Sequence, residues 1–128
     1  MRHVATALAL AVWWAFAAPV QAQGHCRLAL VLALDVSSSV DTREYELQRD
    51  GLAAALGDPT IRSAILDGDG HVAITIYEWS GRRQSVMNRE WTRLTDNRSI
   101  DDVIQSLRSA PPSHSQFPTA MGYALGYR

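Results

Sequence analysis

Arg27-Leu28-Ala29-Leu30-Val31-Leu32-Ala33-Leu34 runs straight into Asp35-Val36-Ser37-Ser38-Ser39. After Arg27 the run is unbroken in its apolarity, and it stops abruptly at a carboxylate. It is too short for a globular helix of ordinary length. Continuous apolarity, in place of alternation, predicts a strand buried on both faces, as in a parallel sheet covered by helices. Leu and Ala favour strands only weakly, so the strand assignment leans on the polar loop and the helix after it.

That helix opens near residue 42. Asp41 is placed to cap it and Glu44 completes a capping box. Tyr45, Leu52, Ala55 and Leu56 are spaced to share one face, with Arg43, Glu46, Arg49 and Asp50 mostly on the other. Gly57-Asp58-Pro59 ends that helix, and a short helical piece is expected over 60–66. Asp67-Gly68-Asp69-Gly70 reads as a surface turn, because the further ligands and closing Glu of a calcium loop are missing. His71 to Trp79 is β-branched and aromatic and predicts a strand. Ser80-Gly81-Arg82-Arg83 turns the chain, and 84–94 returns as the second arm of a hairpin. Trp79 and Trp91 are expected to pack across it. Ser99 is read as the cap of a helix with the stripe Ile100, Val103, Ile104 and Leu107. A proline-rich loop, 110–118, leads into a last helix beginning at Thr119, with Met121, Ala124 and Leu125 as its candidate core face. Strand, helix, hairpin, helix, loop, helix is the order of an α/β protein with helices packed on a sheet.

The chain outside this pattern bears on destination. Its first 22 residues resemble a secretory signal. Met1-Arg2-His3 is positive, 4–18 is apolar, Pro19 breaks the helix, and Val20-Gln21-Ala22 offers small residues to a signal peptidase. The apolar stretch is shorter than the roughly 20 residues a membrane span needs. The expected mature chain therefore starts near Gln23, as one domain over 23–128, secreted or periplasmic, with no stable membrane span. Cys26 is the single cysteine. In an oxidising compartment it either pairs with something or remains a free thiol. With 128 residues, 47% apolar and 20% charged, the composition is that of a folded globular chain. Its formal net charge is −1, and acids and bases are mixed without a basic stripe, so nothing points to nucleic acid.

A buried strand that ends in a polar loop just before a helix is where α/β proteins place ligands. Asp35, Ser37 and Ser39 alternate, so in an extended turn they can face the same way. One carboxylate and neutral hydroxyls suit a hard cation: Mg²⁺, with Ca²⁺ or Mn²⁺ as alternatives. Such a set leaves net positive charge on the ion, which suits the capture of an acidic group more than hydrolysis.

Asp35-x-Ser37-x-Ser39 after an apolar strand resembles the Asp-x-Ser-x-Ser motif of the metal-ion-dependent adhesion site (MIDAS) in von Willebrand factor A (VWA) domains. That resemblance implies direct metal ligation by Ser37 and Ser39, with Asp35 acting mainly through a bound water. The family's next ligand is a Thr just before a helix, and Gln116-Phe117-Pro118-Thr119-Ala120-Met121-Gly122 matches it, with Thr119 in the ligand place. Tyr77-Glu78-Trp79-Ser80 and Trp91-Thr92-x-Leu94 resemble a group of uncharacterised bacterial secreted proteins of this type. The likeness runs from about residue 27 to 128. It implies a Rossmann-like VWA fold: a central, mostly parallel sheet with one antiparallel hairpin strand and helices on both faces. The family's last motif, an Asp at the end of a further strand, has no counterpart, so the expected domain is C-terminally truncated. The function implied is an exported, metal-dependent adhesion or protein-interaction module, without catalysis, whose partner offers a carboxylate. Two alternatives stand beside it. One is a metal-dependent phosphatase-like enzyme or a serine hydrolase. The phosphatases need a second Asp where Ser37 stands, and the hydrolases need a glycine elbow that 37–39 lacks. The other is a truncated, non-functional remnant. His71 and His114 have no partner at metal-ligand spacing.

Overall fold

The computed structural model describes residues 24–111, 113 and 117–126. The proposed signal segment, His114 and Gln116 lie outside them. Three strands form one sheet in the order β1-β2-β3: β1 (Cys26–Asp35), β2 (His71–Trp79) and β3 (Ser85–Leu94). β1 and β2 are parallel, with Leu30 opposite Ile74 and Asp35 opposite Trp79. β2 and β3 are antiparallel, with Tyr77 opposite Met87. Among the described residues the helices are α1 (Thr42–Gly57), α2 (Pro59–Leu66), α3 (Asn97–Ser109) and α4 (Met121–Leu125). The first of them starts directly after the Asp35 loop.

Local chemistry explains where the helices start. Asp41 accepts from the Glu44 amide at 2.8 Å, and Glu44 reaches back to the Asp41 amide at 3.0 Å. The expected capping box is therefore formed. Asp41→Ala should cost about 1 kcal/mol, read as a lower midpoint in urea denaturation with unchanged slope. Asp58 ends α1 and caps α2 through the amides of Thr60 and Ile61, with Pro59 at the first turn. α3 starts earlier than expected. Asp96, not Ser99, is its N-cap; Ser99 sits at the third helical position and returns a bond to the Asp96 amide. A serine and an aspartate three residues apart can each play either part in a reciprocal cap.

Alternation along β2 divides the core. Val72, Ile74 and Ile76 face α1, α2 and α3, and pack with Leu34, Leu56, Leu94 and the α3 stripe Ile100, Val103, Ile104 and Leu107. Tyr77 and Trp79 face the other way, with Ala124 of α4 and Met87. Helices thus lie on both faces, but unequally, since α4 has only five residues.

That inequality corrects the expectation for β1. Leu30 and Leu32 pack against the core and Leu34 lies within it, whereas Ala29, Val31 and Ala33 are exposed. Only the face toward α1–α3 is covered, and among the described residues β1 pairs on one side only. In α1 the inward stripe is Tyr45, Leu52, Ala53 and Leu56; Ala55 faces out. Trp91 is 45% exposed and does not meet the buried Trp79, because Ser85 stands opposite Trp79 at the turn end of the hairpin and Trp91 lies well farther along β3. In α4 only Ala124 is buried; Met121 and Leu125 are exposed.

Candidate functional site

The parallel pairing of β1 and β2 sets their carboxyl ends side by side, and three chain segments meet there. The loop after β1 carries Asp35, Ser37 and Ser39. The turn after β2 carries Ser80 to Gln84. The segment before α4 carries Phe117 to Ala120. Backbone bonds join them: Val36 N–H donates to the Trp79 carbonyl at 2.9 Å, Ser38 N–H to Phe117 at 3.0 Å, and Ala120 N–H to Ser80 at 3.0 Å. Thr119 lies between the last two of these clamps.

Within this frame Asp35, Ser37 and Thr119 come together. Asp35 Oδ1 accepts from the Ser37 amide at 2.8 Å and from the Ser37 hydroxyl. The same hydroxyl lies 2.8 Å from Thr119 Oγ1. Carboxylate and hydroxyl oxygens thus form a continuous run from β1 to the segment before α4. Ser37 is 1% exposed, while Thr119 and Ser39 are open to solvent. Ser39 makes no hydrogen bond to the other three among the described residues, so the structure brings it near the cluster in sequence without drawing its hydroxyl in. Among the described residues no group of three or more His, Cys, Asp or Glu could hold a metal, so any cation here would rely on hydroxyls around one carboxylate. That donor set, all oxygen, part buried and part open, fits a hard cation.

Two residues that support the site were not identified as such from sequence. Gln48 of α1 bonds the backbone of Asp35 twice, its Oε1 accepting from the amide at 3.1 Å and its Nε2 donating to the carbonyl at 3.1 Å. It acts like a short piece of neighbouring strand and fixes the end of β1. The available signal was a polar residue on the inward stripe, three positions after Tyr45. The second is Glu78, near the end of β2. It is 1% exposed. Glu78 accepts from the Tyr45 hydroxyl at 2.5 Å, from Asn88 Nδ2 at 3.1 Å, from the Ser113 amide at 3.0 Å and from the Ser113 hydroxyl. Helix, both hairpin strands and the loop leading to Thr119 therefore share one carboxylate. Burial, reinforced by the bond to Glu78 and its charge, raises the pKa of Tyr45 well above the usual phenol value. The phenol thus remains a donor well into the alkaline range.

Beside Thr119 the surface opens into a cleft of about 610 Å³ between the β2–β3 turn and α4. Arg82 lies on one wall, its guanidinium 5.2 Å from the ring centre of Tyr123. Arg83 holds a left-handed backbone, φ 60°, which closes the turn. Cys26 is an exposed free thiol at the far end of β1. No described helix is long and apolar enough to cross a membrane.

Residues 25–128 match the model of a family described as "Protein of unknown function (DUF1194)". No curated protein matches. Among solved structures, a mutant of the PilB minor pilin from Streptococcus sanguinis is similar at 15% identity and a TM-score of 0.60, over 86% of this chain and 26% of the pilin. Proximal thread matrix protein 1 from the mussel byssus, solved with a zinc-occupied MIDAS motif, is similar at 20% identity over 81% of this chain and 24% of that one. Its TM-score of 0.48 is too low to support an inference. The chain spans about a quarter of the length of either structure. At such identities the likeness bears on the fold alone, a mixed α/β arrangement.

Proposed function

The chain belongs to the DUF1194 family, and within it we propose that Asp35, Ser37, Ser39 and Thr119 form a divalent-cation site through which this protein binds a carboxylate of a protein partner. The observation that carries this reading is the meeting of the Ser37 and Thr119 hydroxyls at 2.8 Å, with the Ser37 hydroxyl itself bonded to the carboxylate of Asp35. These residues come from distant parts of the chain and converge where the sheet presents its strand ends.

A cation bound there would offer incompletely neutralised positive charge to an incoming acid. The chain's own part is positional. Gln48 fixes the backbone of Asp35, and Asp35 orients the Ser37 hydroxyl. The clamps on Phe117 and Ala120 hold Thr119 in place. Ser39 and Thr119 are open to solvent, from which the partner arrives. Mg²⁺ is the expected ion, with Ca²⁺ and Mn²⁺ as alternatives. Binding is favoured over catalysis because Ser37 occupies the place where an aspartyl-phosphate enzyme needs its second Asp. The first 22 residues are assigned to export, and the working location is secreted or periplasmic.

The test is a melting series in Mg²⁺, Ca²⁺, Mn²⁺ and EDTA, for wild type and Asp35→Ala. At a cation concentration ten times its Kd, linkage stabilises the fold by about 1.4 kcal/mol, a rise in Tm of roughly 5–10 °C for a domain of this size. Asp35→Ala should remove the response. A wild-type Tm indifferent to all three ions would end the proposal.

A further inference from the structure

The cleft beside Thr119 is built in advance of any ligand. A Cβ added to Gly81 would stand 2.6 Å from Phe117 Cβ, so the hairpin turn is pressed against the Thr119 segment with no slack. The Ser80–Ala120 backbone bond fixes the same contact. Its surfaces are those of an interface core: Phe117 is 50% exposed, Met121 60% and Tyr123 48%, with Pro118 between them. A preformed cleft of this size accepts side chains without reorganisation.

Charge selects among occupants. Among the described residues no acidic one lines the cleft. Arg82 is in it, and Arg83 stands beside it on the same turn. Among the described residues no carboxylate lies within ion-pairing distance of Arg82. Its guanidinium rests over the Tyr123 ring, which orients it while leaving its donors for a ligand.

We propose that the cleft between the β2–β3 turn and α4 is a docking groove for an acidic peptide segment of a partner protein, whose carboxylate pairs with Arg82 while an adjacent apolar side chain lies against Phe117, Met121 and Tyr123. This deepens the reading of the chain as a binding module by giving the partner its chemistry. It does not require that a cation be bound.

The experiment is fluorescence anisotropy with a short labelled peptide that alternates Asp with Phe and Leu. One control peptide has Asn for every Asp, and another has Ala for every Phe and Leu. Each is titrated with the purified full chain in Mg²⁺ and in EDTA. Wild type should bind the first peptide about tenfold or more tightly than either control, and Arg82→Glu should lose about tenfold or more. Arg82 is an exposed turn residue, so the melting curve of the variant should match wild type. Binding that survives EDTA but falls with Arg82→Glu supports the groove even if the cation site fails. Binding lost in EDTA but indifferent to Arg82→Glu supports the cation and overturns the groove. No preference for the first peptide, or no binding, overturns it too. So does self-association of wild type in sedimentation that Arg82→Glu abolishes, because the occupant would then be a second copy.

Discussion

Glu78→Ala should lower the free energy of unfolding by at least about 3 kcal/mol, because it strands several donors around a buried position at once. The Tyr45 hydroxyl, the Asn88 amide and both donors of Ser113 converge on that carboxylate, which is 1% exposed. Alanine leaves a void where the carboxylate stood and no acceptor for any of them. Urea denaturation followed by circular dichroism gives the number. A loss below about 1 kcal/mol would mean that water enters and replaces the acceptor. Glu78→Gln should cost less, because an amide keeps one acceptor oxygen and nearly the same volume. It still turns a donor toward other donors, so it should not be neutral.

Ile76→Ala should cost about 2–5 kcal/mol through cavity formation. Ile76 is 0% exposed in the central strand, across from Leu32 on one side and Arg89 on the other, and it faces the helices of the larger core. A central strand flanked by two partners has little room to collapse into the vacated space. Ile76→Val, which removes one methylene, should cost about 0.5–1.5 kcal/mol. A domain of this kind has about 5–15 kcal/mol of stability in all. Combining Glu78→Ala with Ile76→Ala should therefore leave little folded protein. The two side chains are next but one on β2 and project to the same face, so their effects need not add.

The elements that were legible in the sequence are those whose signals are local. β2 was expected over His71–Trp79 and spans those residues, because β-branched and aromatic residues define it and turns bound it on both sides. The α1 capping box and the Asp58-Pro59 boundary arise from chemistry within four residues. Pairing of Asp35, Ser37 and Thr119 was implied by motif resemblance alone, and the three do come together. What was not legible depends on neighbours far along the chain. β1 reads as doubly buried because its composition is uniform, yet burial is set by what packs on each face, and α4 reaches only the β2 side. Trp91 is expected to pack on Trp79, but the tight turn that sets Ser85 opposite Trp79 leaves Trp91 near the other end of the hairpin. Glu78 carries no local sign of burial, since an isolated glutamate is usually exposed; beside its hairpin partner Asn88, its donors come from Tyr45 and Ser113, neither adjacent in sequence. Gln48 carries little sequence signal of its role, because the group it satisfies is the backbone of Asp35.

The Ser37–Thr119 contact spans 82 positions of the chain. On a growing polypeptide, Asp35 and Ser37 emerge well before the residue that completes their cluster. Closing so large a loop is entropically costly and must await the packing that brings its ends together. The cluster is thus a property of the finished fold, absent from any shorter intermediate. A ligand that bridges it recognises completed molecules and ignores partial ones. Its effect falls mainly on escape from the native state and hardly at all on the speed of reaching it. Under the proposed function, occupancy would then act as a timer on how long each molecule persists.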